Sequence, residues 1–170
     1  MKAIKIISGI VTVLVIIFFS TGLLVKETTY QVKVEIHKPL QEVFLAFNDQ
    51  QKMMEWMPEV KAIEPISVKP GKVGSEYKMT VDNKGQAIVM TKKVMAFVPN
   101  KKVTLFFDAD DMLKTDDYSF SAQNGVTTIV KESVCKSDSY IMSCMFPYFK
   151  SVFKEIDQKY LNNFKVYVEK

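Results

Sequence analysis

The chain has no arginine, one histidine (His37) and two cysteines (Cys135 and Cys144) in 170 residues. Without guanidinium groups it has no planar, bidentate clamp for phosphate or carboxylate. One histidine and two cysteines are a poor supply of zinc ligands, and they exclude a disulfide-dense scaffold. Basic residues are 23 lysines against 19 acids, a formal charge of +4. Lys2 and Lys5 precede the first apolar run, so the remainder carries 21 lysines against 19 acids, a net of +2. That is too little for a nucleic-acid footprint. Six glycines and six prolines leave no long flexible linker. Charged residues at 25% exclude wholesale disorder.

What is present begins with Ile6–Val25, twenty residues without a charge. At about 1.5 Å per residue they reach about 30 Å, one hydrocarbon core. The alternative is a signal peptide cut after the small residue Gly22. Signal-peptide apolar regions run to about 7–15 residues and end in A-x-A, which is missing here. The expectation is therefore an uncleaved anchor, with secretion after cleavage as the alternative. Lys2, Lys5 and the α-amine flank one end, while Lys26 and Glu27 cancel at the other. This places the N-terminus in the cytoplasm and residues 26–170 outside it. Residues 1–28 read as anchor with short flanks, and residues 29–170 as one domain. The spacing of Cys135 and Cys144 allows a disulfide without requiring one.

The domain reads as α+β. Tyr30, Val32, Val34 and Ile36 alternate with polar residues, a half-buried strand. Pro39 suits the first turn of a helix carrying Val43, Phe44 and Phe47, and Gln50–Met57 form a second short helix. Six further strand-like runs follow: Val60–Val68, Val73–Val81, Gln86–Phe97, Lys102–Ala109, Thr115–Ala122 and Val126–Lys136. Turn residues such as Asp82-Asn83-Lys84-Gly85 and Gln123-Asn124-Gly125 join them as antiparallel neighbours. At the C-terminus Val152, Phe153, Ile156, Tyr160, Phe164 and Val168 share one helical face, with Lys150, Lys154, Asp157, Lys165 and Glu169 opposite. A break is expected at Pro147, with Met142, Met145 and Phe146 in an earlier turn.

Several phrases in this order resemble the START-like superfamily, also called SRPBCC or Bet v 1-like. They are Val34–Asp49 (VEIHKPLQEVFLAFND), Met53–Glu64 (MMEWMPEVKAIE), Lys69–Met79 (KPGKVGSEYKM), Val98–Phe107 (VPNKKVTLFF), Phe120–Val130 (FSAQNGVTTIV) and Tyr160–Glu169 (YLNNFKVYVE). The chain also resembles short members with one membrane helix, often labelled polyketide cyclase/dehydrase or lipid transport proteins. The resemblance implies a helix-grip fold: a seven-stranded curved antiparallel sheet around a long C-terminal helix, preceded here by the transmembrane helix. It implies a hydrophobic cavity between sheet and helix.

Trp56, Met79, Met90, Phe106, Tyr118, Phe120, Met142, Met145, Phe149 and Phe153 are the expected cavity-lining residues; methionine suits irregular pockets. Trp56 also reads as a packing anchor for the short helices. His37, at a strand end beside Lys38-Pro39, reads as a solvent-facing loop residue. Asp108, Asp110, Asp111, Asp116 and Asp117 read as a solvated hairpin tip. A calcium loop would want glycine and glutamate where Leu113 and Ser119 stand. Lys92-Lys93 and Lys101-Lys102 read as solvated strand ends. The function expected is membrane-anchored, non-enzymatic binding of a small hydrophobic or lipid-like ligand. No cofactor, metal or nucleic acid is expected. One alternative is a cyclase/dehydratase-type enzyme using Tyr77, Tyr118 or Tyr140 with Glu76 or Glu132, although no spacing pairs them. Another is an interaction module whose cavity is filled by its own side chains.

Overall fold

The computed structural model of the chain describes residues 2–170. The elements in chain order are α1 (Lys2–Leu24), β1 (Thr28–Ile36), α2 (Leu40–Phe47), α3 (Met53–Trp56), β2 (Val60–Ser67), β3 (Glu76–Asn83), β4 (Gln86–Val98), β5 (Lys102–Ala109), β6 (Met112–Gln123), β7 (Val126–Lys136) and α4 (Tyr140–Glu169). The seven strands form one curved antiparallel sheet in the order β1-β7-β6-β5-β4-β3-β2. Strict alternation in β1 buries Thr28, Tyr30, Val32, Val34 and Ile36 and exposes the residues between them. The β3–β4 and β6–β7 hairpins turn on Lys84-Gly85 and Asn124-Gly125, all four with positive φ. This is the two-residue geometry whose twist matches the strands.

The α4 helix lies against the inner face and seals the β1 edge. The Gln158 side chain accepts from the Lys33 N–H and donates to the Lys33 carbonyl, which occupies backbone groups that would template another strand. The core joins Val32, Val34 and Ile36 of β1, Val43, Phe44 and Phe47 of α2, Trp56 of α3, and Leu161, Phe164 and Val168 of α4. Burying a side chain of this size is worth about 1.5–3 kcal/mol.

Three expectations need correction. The α4 helix runs unbroken through Pro147 over 30 residues. The lost N–H bond, worth about 3 kcal/mol, is offset by packing on both sides of the proline: Cys144 and Phe146 are buried before it, and Phe153 packs on Tyr30 and Phe146 after it. The buried face of α4 keeps Phe164 and Val168 of the expected stripe but departs from it earlier in the helix, where Val152 and Ile156 are exposed while Asp157 and Leu161 are buried. β3 begins at Glu76 rather than Val73, because Lys69–Ser75 form a turn with positive φ at Gly71, Lys72 and Gly74.

The α1 helix is long and apolar enough to cross a membrane. Its C-terminal end packs on the first turns of α4. Tyr140 stacks on Phe19 and donates to its carbonyl, while Tyr148 stacks on Phe18 and its hydroxyl lies 2.8 Å from Thr21 Oγ1. The pivot is Gly22, where a Cβ would collide with Cys144 Sγ. Cys144 and Cys135 are both buried free thiols, so no disulfide joins them. Gly22→Leu should prise α1 from α4. Maleimide labelling of Cys144 in detergent should accelerate roughly tenfold, equivalent to about 1.4 kcal/mol of lost packing, with Cys135 labelling unchanged.

Candidate functional site

The grip has two polar features inside it. The first lies under the middle of α4. Lys114 and Asp116 of β6, Lys131 and Ser133 of β7, Tyr30 of β1 and Asp157 of α4 converge there. Lys114 Nζ is 2.9 Å from Asp157 Oδ2 and 3.4 Å from Asp116 Oδ1, and Lys131 Nζ is 2.8 Å from a carboxylate oxygen of each aspartate. The Tyr30 hydroxyl donates to Asp157 Oδ2 at 2.7 Å, and Ser133 Oγ donates to Asp116 Oδ1 at 2.7 Å. Two ammoniums against two carboxylates make the network neutral, which is the condition for burying it.

Its electrostatics oppose acid–base chemistry. Burial alone would raise the Asp157 carboxyl, but the Lys131 and Lys114 ammoniums outweigh it and hold the group well below the carboxylate range. Burial alone would lower Lys114, but Asp116 and Asp157 hold it well above its ordinary value. Burial raises the Tyr30 and Tyr118 hydroxyls. A carboxylate so firmly ionised is a poor general base near neutral pH.

The second feature lies beneath α2 and α3. A cavity of about 60 Å³ is walled mainly by Phe47, Met53, Tyr77, Val94, Phe97 and Leu105, with Asn48, Gln50 and Lys72 as its polar members. Lys92 stands beside it. This lysine is 0% exposed; its ammonium donates to Gln50 Oε1 and sits 4.8 Å from the Tyr77 ring centroid. Burial, with no carboxylate to oppose it, lowers its pKa to about 8.

None of the ten expected lining residues walls this cavity. Trp56, Tyr118 and Phe120 are buried in the core: Trp56 packs on Phe47 and Phe164, and Phe47 packs on Tyr118 and Phe120. The Trp56 indole Nε1 has no hydrogen-bond partner among the described residues. Met79 and Met90 face each other across β3 and β4, on the side of the sheet that carries Tyr77 and Lys92. Met142 and Phe153 pack with Tyr30, Cys135 and Phe146 in a second cluster, and Met145 is half-buried nearby in sequence. Phe106 and Phe149 are corrections. In β5 the inward residues are Val103, Leu105 and Phe107, so Phe106 points to the opposite face. Phe149 is 43% exposed on the outside of α4.

The charged residues bring further corrections. Asp116, read as part of a hairpin tip, is 2% exposed within the ionic network, and Lys92 is buried rather than at a solvated strand end. Asp157, read on the outer helical face, points inward. His37 is a solvent-facing residue, its ring and backbone nitrogen both on Glu169 Oε1. The signal for the network was present but indistinct: Lys114, Asp116, Lys131 and Ser133 alternate at inward positions of two strands that pair directly.

Two stability predictions follow from these charges. Asp157→Asn leaves two ammoniums facing one carboxylate and should cost about 3–5 kcal/mol. Because the folded pKa of Asp157 is depressed, its contribution is present above the unfolded value and lost as pH falls through the folded one. Denaturant melts between about pH 2 and 7 should therefore show a flatter acid limb for the variant. Lys92 acts with the opposite sign. Its folded pKa is lowered, so stability rises as pH climbs from about 8 towards 10.5. Lys92→Met should abolish that rise and stabilise the ligand-free chain at pH 7 by about 2–3 kcal/mol, read by the same melts.

No family model and no curated protein sequence matches the chain. Solved structures do match its fold. The aromatase/cyclase ZhuI from Streptomyces sp. R1128 superposes with TM-score 0.71 at 12% identity, over 84% of this chain and 94% of that one. A START superfamily protein from Mycobacterium smegmatis gives 0.68 at 16% identity, over 83% and 97%. Ara h 8.0201 gives 0.67 at 14% identity, over 84% and 97%. Likeness at such identities concerns architecture alone: the chain has the helix-grip fold of Bet v 1-like and START proteins.

Proposed function

We propose that the chain is a membrane-anchored binding module for a small hydrophobic or amphipathic molecule. The observation that carries the reading is the cavity beneath α2 and α3: partly open, mainly apolar, and furnished with a few polar groups, as small-molecule sites are. No pair of side chains at its wall has the geometry of a nucleophile and base. At about 60 Å³ the cavity holds a head group or a short fragment. A longer ligand must displace side chains or extend through the mouth.

The anchor part of the reading is supported by α1 and by its seat. The stretch Tyr140–Phe149 at the start of α4 carries no charge, and Ile141, Tyr148 and Phe149 remain exposed on it although α1 packs alongside. Aromatic and aliphatic side chains at the level of Phe18–Gly22, a few residues inside the span end, suit the headgroup boundary. An anchor that close to the domain would keep the pocket beside lipid and limit diffusion as a soluble carrier.

A second reading, an interaction module with a filled interior, is favoured by the ionic network and the Trp56–Phe47–Phe164 packing that occupy most of the grip. One experiment separates the two. Native mass spectrometry of the full chain, stripped of annular detergent and lipid by activation, should retain an apolar or amphipathic adduct near one-to-one stoichiometry. A bare mass, with no uptake of a fluorescent fatty-acid probe, would overturn the binding module and select the filled interior. Alkaline carbonate washing should leave the chain in the membrane pellet; release into the supernatant would overturn the anchor.

A further inference from the structure

The two interior lysine environments differ in one respect that bears on ligand chemistry. Lys114 and Lys131 are each held by two aspartates. Lys92 is just as deeply buried, yet its polar partner is the neutral Gln50 amide, and burial is the sole cause acting on its pKa. Leaving an ammonium uncompensated inside a protein is costly. Both contacts of Lys92, Gln50 and Tyr77, line the cavity. Lys72 lines it too, with its ammonium 4.6 Å from the Phe97 ring centroid, and no lining residue is acidic. The cavity is therefore mainly apolar, with Lys72 at its wall, Lys92 directly behind Gln50 and Tyr77, and no anion in its lining.

We propose that this cavity receives the carboxylate head of a single-chain amphipathic molecule, with Lys92 as its ion-pair partner and Lys72 at the rim. The inference rests on the binding reading and names the ligand class for it. Gln50 occupies the position the carboxylate would take, so binding exchanges a neutral acceptor for a charged one. The amine is mainly protonated at pH 7, ready to pair. A carboxylate suits about 60 Å³, and the tail has Phe47, Phe97 and Leu105 to lie against. With the ligand bound, Lys92 faces a carboxylate, as Lys114 and Lys131 already do.

The test is calorimetric titration of the full chain in nanodiscs with octanoate, octanol and octylammonium, each corrected for uptake by protein-free discs. The three probes share a tail and differ in head charge. Octanoate should bind about tenfold more tightly than octanol, with octylammonium weakest. Lys92→Met should bring octanoate down to the level of octanol while octanol binding persists. Lys92→Gln is the companion variant, and a retained cooperative melt confirms the fold of each. Equal affinities of octanoate and octanol for the unaltered chain would overturn the inference and leave the binding reading standing, as would a preference that survives loss of Lys92. Uptake of none of the three would defeat the binding reading and this inference with it.

Discussion

The neutral tetrad of Lys114, Asp116, Lys131 and Asp157 is the constraint on which the rest of the structure depends. Three of its members come from the inner faces of β6 and β7, and the fourth is the one acidic residue that α4 turns towards the sheet. Tyr30 extends the network to β1. A single register of α4 therefore satisfies all four charges. Sliding or rotating the helix by one residue would bury unpaired charge, a penalty of several kcal/mol that no alternative apolar packing would offset. The network is thus an alignment device: the apolar contacts hold the helix down, and the charges fix where it sits.

That placement divides the interior. Under the middle of α4 the space is taken by the tetrad, and towards its C-terminal end by Trp56, Phe47 and Phe164 in edge and stacked contacts. What remains open lies at the α2–α3 side, where β3 and β4 supply Tyr77, Lys92 and Val94. The N-terminal turns of α4 project beyond this core and meet α1 at Gly22, Cys144 and Tyr148. One helix therefore closes the grip, plugs part of it with a carboxylate, and seats the apolar N-terminal helix.

Much of the fold was legible in the residues. Alternation marked β1, turn residues separated the strands, and the apolar run gave α1. The order of elements led to the helix-grip architecture. The phases were harder. Phe106 and Phe107 are both apolar neighbours, so composition could not say which one faces inward; pairing with β4 decides it, setting Phe107 opposite the inward Lys92 and Phe106 opposite Lys93. On α4, Val152 and Ile156 look like core residues until Asp157 and Leu161 turn to the sheet and leave them exposed. Asp157 looks like a surface residue until two lysines from other strands arrive.

The sequence by itself determined the periodicities: where the chain must be strand, where it must be helix, and which twenty residues carry no charge. These are local properties, set by backbone sterics and by the spacing of apolar side chains. Only the tertiary structure decided which charges are buried. A lysine in a strand reads the same whether it faces water or the core. Lys114 and Lys131 are paired, and Lys92 is left without a carboxylate, because of what strands and helices distant in sequence bring opposite them. The electrostatic character of the interior is a sum over those neighbours, and no window along the chain contains it.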